Sequence, residues 1–175
     1  MDVITTHINA DFDCLGAMVA ARKLYPDALM VFSGSQEKSM RDFFLKSTSY
    51  LLDFTRFKDL DLNRITRLII VDCQHSSRIG RFAEIIGKPG LSVHIYDHHP
   101  ESSGDIAQDD GIIRECGSST TILTLLLRDR GISVTPVEAT LMMLGIYEDT
   151  GSLIFPSTTV DDFQAAAWLL ERGVT

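Results

Sequence analysis

Cysteine is scarce. Only Cys14, Cys73 and Cys116 are present, odd in number and widely spaced, which argues against a disulfide framework and a thiolate zinc ribbon. Cys14 and Cys73 each stand beside an aspartate, where a small side chain packed next to a site is a better account than a nucleophile. Long apolar runs are missing too, none approaching the ~20 residues that a membrane-spanning helix requires. The opening Met-Asp-Val-Ile-Thr-Thr-His has no basic region followed by an apolar one, so it does not read as a secretory signal, and the cytoplasm is the expected location. Positive charge is also in deficit: 16 Lys and Arg face 24 Asp and Glu, for a net charge of −8. That balance disfavours the broad basic face of a long-duplex binder, although two bound divalent cations would take −8 to about −4 and place positive charge where a phosphate would sit. What is present is ordinary for a globular protein: 175 residues, 45% of them apolar, enough for one domain with a sizeable core.

The periodicity alternates between short apolar runs and helical patterns. Val3–Thr6, Leu29–Phe32, Leu68–Val71 and Ser92–Tyr96 read as strands, with Ile112 and Ile113 in a further short one. Helices are expected from Cys14 to Leu24, from about Lys38 to Leu52, from Arg78 to Ile86, from Gly117-Ser118-Ser119 to about Arg130, from Pro136 toward Asp149 and from about Asp161 to Glu171. Residues 100–110, polar and acidic, read as a mobile loop. The expectation is an α/β fold, a three-layer α/β/α domain with a mainly parallel central sheet of about five strands.

Four clusters stand out: His7-Ile-Asn9-Ala-Asp11-Phe-Asp13, Asp72, Asp97-His98-His99 and Asp149-Thr150-Gly151, each expected at the end of an apolar run. Strand ends of a parallel sheet share one crevice, so groups distant in sequence converge there. His7, Asp11 and Asp13 supply a mixed nitrogen and oxygen set that suits Mn²⁺ or a similar cation, while Asp13 also reads as a plain helix N-cap. Asp72 alone is a turn former or, at the centre of a crevice, a carboxylate able to bridge two cations. Two adjacent histidines after Asp97 are unnecessary for a turn. One imidazole is suited to a metal and the other to a phosphate, with Asp97 behind them as the acceptor that fixes a tautomer. Asp149 reads equally as part of a helix ending in a glycine turn. His94 reads as structural, and His75 as a residue that faces the crevice. The helix opening at Gly117-Ser118-Ser119-Thr120 offers free N–H groups to an anion, or plain capping. Arg78, Arg81 and Arg114 are the nearest candidates for phosphate contacts.

In this order and spacing the clusters resemble the four motifs of the DHH phosphoesterase superfamily, over essentially the whole chain: His7-x-Asn9-x-Asp11-x-Asp13-x-x-Gly16, Asp72, Asp97-His98-His99 and Asp149-Thr150-Gly151. The resemblance implies an N-terminal catalytic lobe with two Mn²⁺ ions, Mg²⁺ or Co²⁺ being substitutes. His7, Asp11 and Asp72 would hold one ion and Asp13, Asp72, His98 and Asp149 the other. Asp72 would bridge, His99 would contact the scissile phosphate, Asn9 would orient ligands or phosphate, and water would be the nucleophile. Ala10 departs from the proline of many relatives. The second, substrate-gripping lobe of active relatives has no counterpart in residues 1–175, so further domains of a longer protein are expected as partners. The chain also resembles the N-terminal part of bacterial fusions in which a DHH region precedes CBS domains and a poly(A) polymerase or tRNA nucleotidyltransferase head. The implied function is hydrolysis of phosphodiester or phosphomonoester bonds in short oligonucleotides or nucleotides. The alternatives are a nucleotide- or RNA-binding regulatory module of such a fusion protein and, lower, an inorganic pyrophosphatase.

Overall fold

A computed structural model describes residues 1–46 and 52–174. Five strands, β1 (Asp2–Thr5), β2 (Leu29–Met30), β3 (Arg67–Val71), β4 (Ser92–Asp97) and β5 (Asp110–Ile113), form one sheet in the order β2-β1-β3-β4-β5. Every pairing is parallel, with Thr5 opposite Ile70 and Val71 opposite Tyr96. The helices are α1 (Phe12–Leu24), α2 (Lys38–Lys46), α3 (Ser119–Asp129), α4 (Pro136–Thr150) and α5 (Val160–Leu170). The expected continuation of α2 toward Leu52 runs through positions 47–51, which lie outside the described residues.

Strand residues alternate between two cores. Ile4, Ile69, Val71 and Tyr96 face the layer of α1 to α5, whereas Val3, Leu68, Ile70, Val93 and Ile95 face Ile79, Phe82 and Ile85. β3 is therefore buried on both faces, which is why it reads as an unbroken apolar run. The helix expected from Arg78 to Ile86 consists of two 3₁₀ segments, Ser76–Arg78 and Gly80–Ile85. Ile79 lies between them, and Gly80, which opens the second at φ +56, takes a left-handed conformation that a continuous α-helix does not allow. The loop at 100–110 is fastened rather than free: Ile106 is buried and its N–H donates to Gln74 O, and Asp109 exchanges bonds with Val93.

Close approach of α1 and α4 sets the height of the site. A Cβ added at Gly145 would lie 2.7 Å from Thr120 Oγ1 and 2.9 Å from Phe12 O, and one at Gly16 would lie 2.7 Å from the same hydroxyl. Gly145→Ala gains helix propensity of about 1 kcal/mol, but it must move backbone. A net loss of about 1–2 kcal/mol is expected, read as a lower thermal midpoint, and an unchanged midpoint would show that the helices can part at no cost.

Candidate metal centre

The chain passes from β1 outward to β2 and then returns across β1 to β3, so the sheet changes winding direction between β1 and β3. Such a switch point leaves a crevice at the carboxyl ends of the strands, and His7 after β1 and Asp72 after β3 flank it. Asp72 takes φ +57 and Asn9 φ +62. Both are residue types that tolerate the left-handed region, at a cost that concentrates at functional sites.

Asp72, buried, presents its two oxygens to two different clusters. Oδ2 lies 3.3 Å from His7 Nε2, whose other neighbours are Asp11 Oδ2 at 3.9 Å and Cys14 Sγ at 3.1 Å. Oδ1 lies 3.5 Å from His98 Nε2, which is also 3.2 Å from Asp149 Oδ2 and 4.0 Å from Asp13 Oδ2. The donor atoms of His7, Asp11, Cys14 and Asp72, and those of Asp13, Asp72, His98 and Asp149, lie within 4.8 Å of one another in each set.

Both imidazoles have their second nitrogen engaged. His7 Nδ1 donates to Ile8 O at 2.7 Å and His98 Nδ1 to Cys116 O at 3.0 Å, an assignment that leaves Nε2 of each turned to the carboxylates. His98 Nε2 is buried and makes no well-directed hydrogen bond despite three carboxylates around it. An orphaned ring nitrogen among carboxylates fits a cation that accepts its lone pair. His99 is half-exposed, and its Nδ1 donates to Asp97 Oδ1 at 2.8 Å. Asp97 thus orients His99, while a backbone carbonyl does that service for His98.

The electrostatics follow from this crowding. Burial, then the Asp72 and Asp149 charges, push the Asp13 carboxyl well up, and burial raises Asp149. Burial works the same way on Asp72, yet the His7 hydrogen bond and the imidazole charges hold it down at about 2. Burial would lower His98, but Asp149, Asp13 and Asp72 carry it to about 10. His7 is likewise raised, its burial outweighed chiefly by Asp72. Cys14 is pushed well up by burial and by Asp72, so its thiol is protonated in the metal-free site.

Asp149 belongs to the last turn of α4, with Gly151 as a left-handed C-cap at φ 55, the helix ending in a glycine turn that the sequence allowed. Other expectations change. Asp11, rather than Asp13, is the N-cap of α1, accepting from Cys14 N at 3.0 Å. The anion held at the start of α3 is the chain's own: Ser119 N and Thr120 N donate to the two oxygens of Asp13 at 2.8 and 2.9 Å. Ser119 Oγ donates to Asp72 Oδ1 at 2.9 Å. His75 pairs with Asp105 at 3.2 Å on the rim, and His94, in β4, bonds Tyr25 at the end of α1 at 2.7 Å. Arg81 and Arg114 are paired with Glu84 and Asp161. Asn9 is exposed. Residues that the sequence reading passed over are Glu148, whose carboxylate accepts from Phe12 N and joins Asp11 and Asp149, and Asp162. Buried Asp162 accepts from Gly117 N and Thr121, and so fixes the segment whose Cys116 carbonyl holds His98. The signal for it was the capping box Thr159-x-x-Asp162.

Ser119→Ala should keep the fold and weaken metal binding by about 10–100-fold, the usual cost of removing a group that orients a ligand. Calorimetric titration with Mn²⁺ measures it, and wild-type affinity in the variant would remove Ser119 from the site.

These elements define a class, that of parallel α/β domains with paired carboxylate–imidazole clusters at the topological switch point. The chain belongs within it to the DHH family: the model of the DHH family, N-terminal domain, matches residues 3–146. It is 75% identical over 173 residues to an A-adding tRNA nucleotidyltransferase of Geobacter sulfurreducens, covering 99% of this chain and 20% of that protein. It is 26% identical over 175 residues to a "Probable bifunctional oligoribonuclease and PAP phosphatase NrnA" of Streptococcus mutans, covering 97% of this chain and 52% of that one. An exopolyphosphatase-related protein from Bacteroides fragilis shares the fold at TM-score 0.79 and 17% identity, over 99% of this chain and 53% of that one. The chain thus spans about a fifth of the nucleotidyltransferase relative and half of the others. No helix among the described residues is long and apolar enough to cross a membrane.

Proposed function

We propose that this site is a binuclear divalent-cation centre, best matched to manganese, that hydrolyses phosphomonoester or phosphodiester bonds of short nucleotides. The observation that carries the reading is Asp72, one buried carboxylate with an oxygen turned to each of two clusters. His7, Asp11 and Asp72 would hold one ion, and Asp13, Asp72, His98 and Asp149 the other. When bound, such ions supply Lewis-acid stabilisation of phosphoryl oxygens and an activated water. The chain's own residues do the rest. Asp13 is held by the N-terminus of α3, Asp72 by Ser119, and His98 by the Cys116 carbonyl, so the ligands are fixed before a substrate arrives. His99, half-exposed and oriented by Asp97, is the side chain best set to meet the scissile phosphate and to donate a proton to it. The test uses manganese-reconstituted protein, as this chain and as the longest polypeptide that carries it, on short oligonucleotides, adenosine 3′,5′-bisphosphate and cyclic di-AMP. Turnover that chelation abolishes is expected, and silence on every substrate with metal bound would refute the assignment.

The 75% identity to an A-adding tRNA nucleotidyltransferase favours a second reading, in which the lobe positions a nucleotide or RNA end for a nucleotidyltransferase elsewhere in the polypeptide. Deleting residues 1–175 from that polypeptide should then lower its affinity for tRNA, and unaltered affinity with unaltered nucleotide addition excludes the role.

A further inference from the structure

Beside the clusters, a cavity of about 260 Å³ opens between the segments that follow β3 and β4. It is walled by Gln74, His75 and Arg78 on one side and by Asp97, His99 and Ser102 on the other, so it shares Asp97 and His99 with the candidate centre. Two features of its walls are unexplained by the fold. Gln74 is 3% exposed; its amide nitrogen donates to His99 O at 3.0 Å, while its Oε1 is buried without a partner. Leaving such an acceptor unmet costs about 1–3 kcal/mol. Arg78 is exposed, and its guanidinium makes no ion pair among the described residues, although Arg81, Arg67 and Arg114 nearby in the chain or sheet are all paired. The backbone under it is anchored, because Arg78 O accepts from Ile8 N at 2.7 Å, next to His7.

A guanidinium is a bidentate phosphate receptor. The orphaned Oε1 can accept a hydroxyl or amine, and both groups line the same cavity as His99, where a phosphate would be met. We infer that this cavity is a subsite for a second, non-scissile phosphate and its sugar hydroxyl, with Arg78 as the specificity-determining residue. The inference rests on the phosphoesterase reading and narrows its substrates to nucleotides that carry two phosphates. Such a second phosphate is supplied by a nucleoside bisphosphate or by the next linkage of an oligonucleotide.

The experiment titrates the full manganese-loaded chain with 5′-AMP, adenosine 3′,5′-bisphosphate and the dinucleotide pApA, in wild type, Arg78→Ala, Arg78→Lys and Gln74→Glu, with manganese stoichiometry measured on the same samples. In wild type, one or both of the two-phosphate ligands should bind at least about tenfold more tightly than 5′-AMP, the worth of one charge-assisted pair. Which of them does so identifies the source of the phosphate. That ratio should fall to within about twofold in Arg78→Ala, fall also in Gln74→Glu, and be intermediate in Arg78→Lys, whose ammonium lacks the fork. Binding of 5′-AMP with no gain from a second phosphate overturns the subsite alone. Loss of manganese from Arg78→Ala overturns it too, by making Arg78 a support of the centre. Absence of all nucleotide binding in wild type refutes the phosphoesterase reading and the subsite together.

Discussion

Asp72→Asn is expected to abolish the binding of both manganese ions, whereas Asp149→Asn should remove one. Asparagine keeps the shape and tolerates the φ of +57 at this position, so the substitution isolates the charge from the backbone. Its effect reaches both clusters because Oδ2 faces His7 and Oδ1 faces His98. Asp149 pairs with His98, and among the described residues no ion pair joins it to His7. Losing a charged ligand exceeds the ~100-fold that losing a ligand's hydrogen-bond partner costs, enough to empty a micromolar site under ordinary assay conditions. Calorimetry should therefore find two ions in wild type, one in Asp149→Asn and none in Asp72→Asn, with phosphoesterase turnover lost in the last. If either ion remains in Asp72→Asn at its wild-type affinity, the carboxylate is not shared and the binuclear reading fails.

Much of the fold and of the candidate centre could be read from local pattern, and what could not is informative. The continuous apolar run Leu68–Val71 is a strand because both faces of a parallel sheet are covered, and Pro136 opens α4 because its missing N–H is no loss there. His7, Asp11, Asp13, Asp72 and His98 were recognisable because loops at strand ends seldom need such side chains. The helical position of Asp149 followed from Pro136 and the Gly151 turn, but the height at which it meets His98 was not legible, since it depends on α1 and α4 meeting at Gly16 and Gly145, a contact between residues more than a hundred positions apart. Nor did adjacency reveal which of His98 and His99 faces the carboxylates. That is decided by where each Nδ1 finds an acceptor, Cys116 O for one and Asp97 for the other. The start of α3 offered N–H groups to an anion, and pattern alone could not say that the anion is Asp13.

Manganese should raise the thermal midpoint by about 10 °C or more, and the rise should grow from pH 6 to pH 8. At a free concentration of 100 times Kd each site contributes ~2.7 kcal/mol, so two contribute about 5, and a domain of this size gains ~2–4 °C per kcal/mol. The pH dependence comes from protons competing with metal. His98, raised to about 10 by its carboxylate neighbours, helps the metal-free fold fully below the unfolded imidazole value of ~6.5, and that help is lost as pH rises through about 10. Asp72, held at about 2, helps above the unfolded value of ~3.9 and ceases to help as pH falls through about 2. Asp13 and Asp149, both raised, favour the fold only below the unfolded carboxylate value and lose that effect as pH climbs through their folded values, so above it their ionised forms crowd Asp72. His98 and Asp72 thus serve the metal-free domain best between roughly pH 4 and 6.5, where imidazolium stands in for the cation. Manganese must expel the protons from His7 and His98 Nε2 to enter, which grows easier as pH rises, and once bound it relieves a carboxylate repulsion that grows over the same range. Differential scanning at the two pH values with and without manganese measures both effects. A metal-induced shift that is equal or larger at pH 6 would mean that these imidazoles are not displaced by the ion.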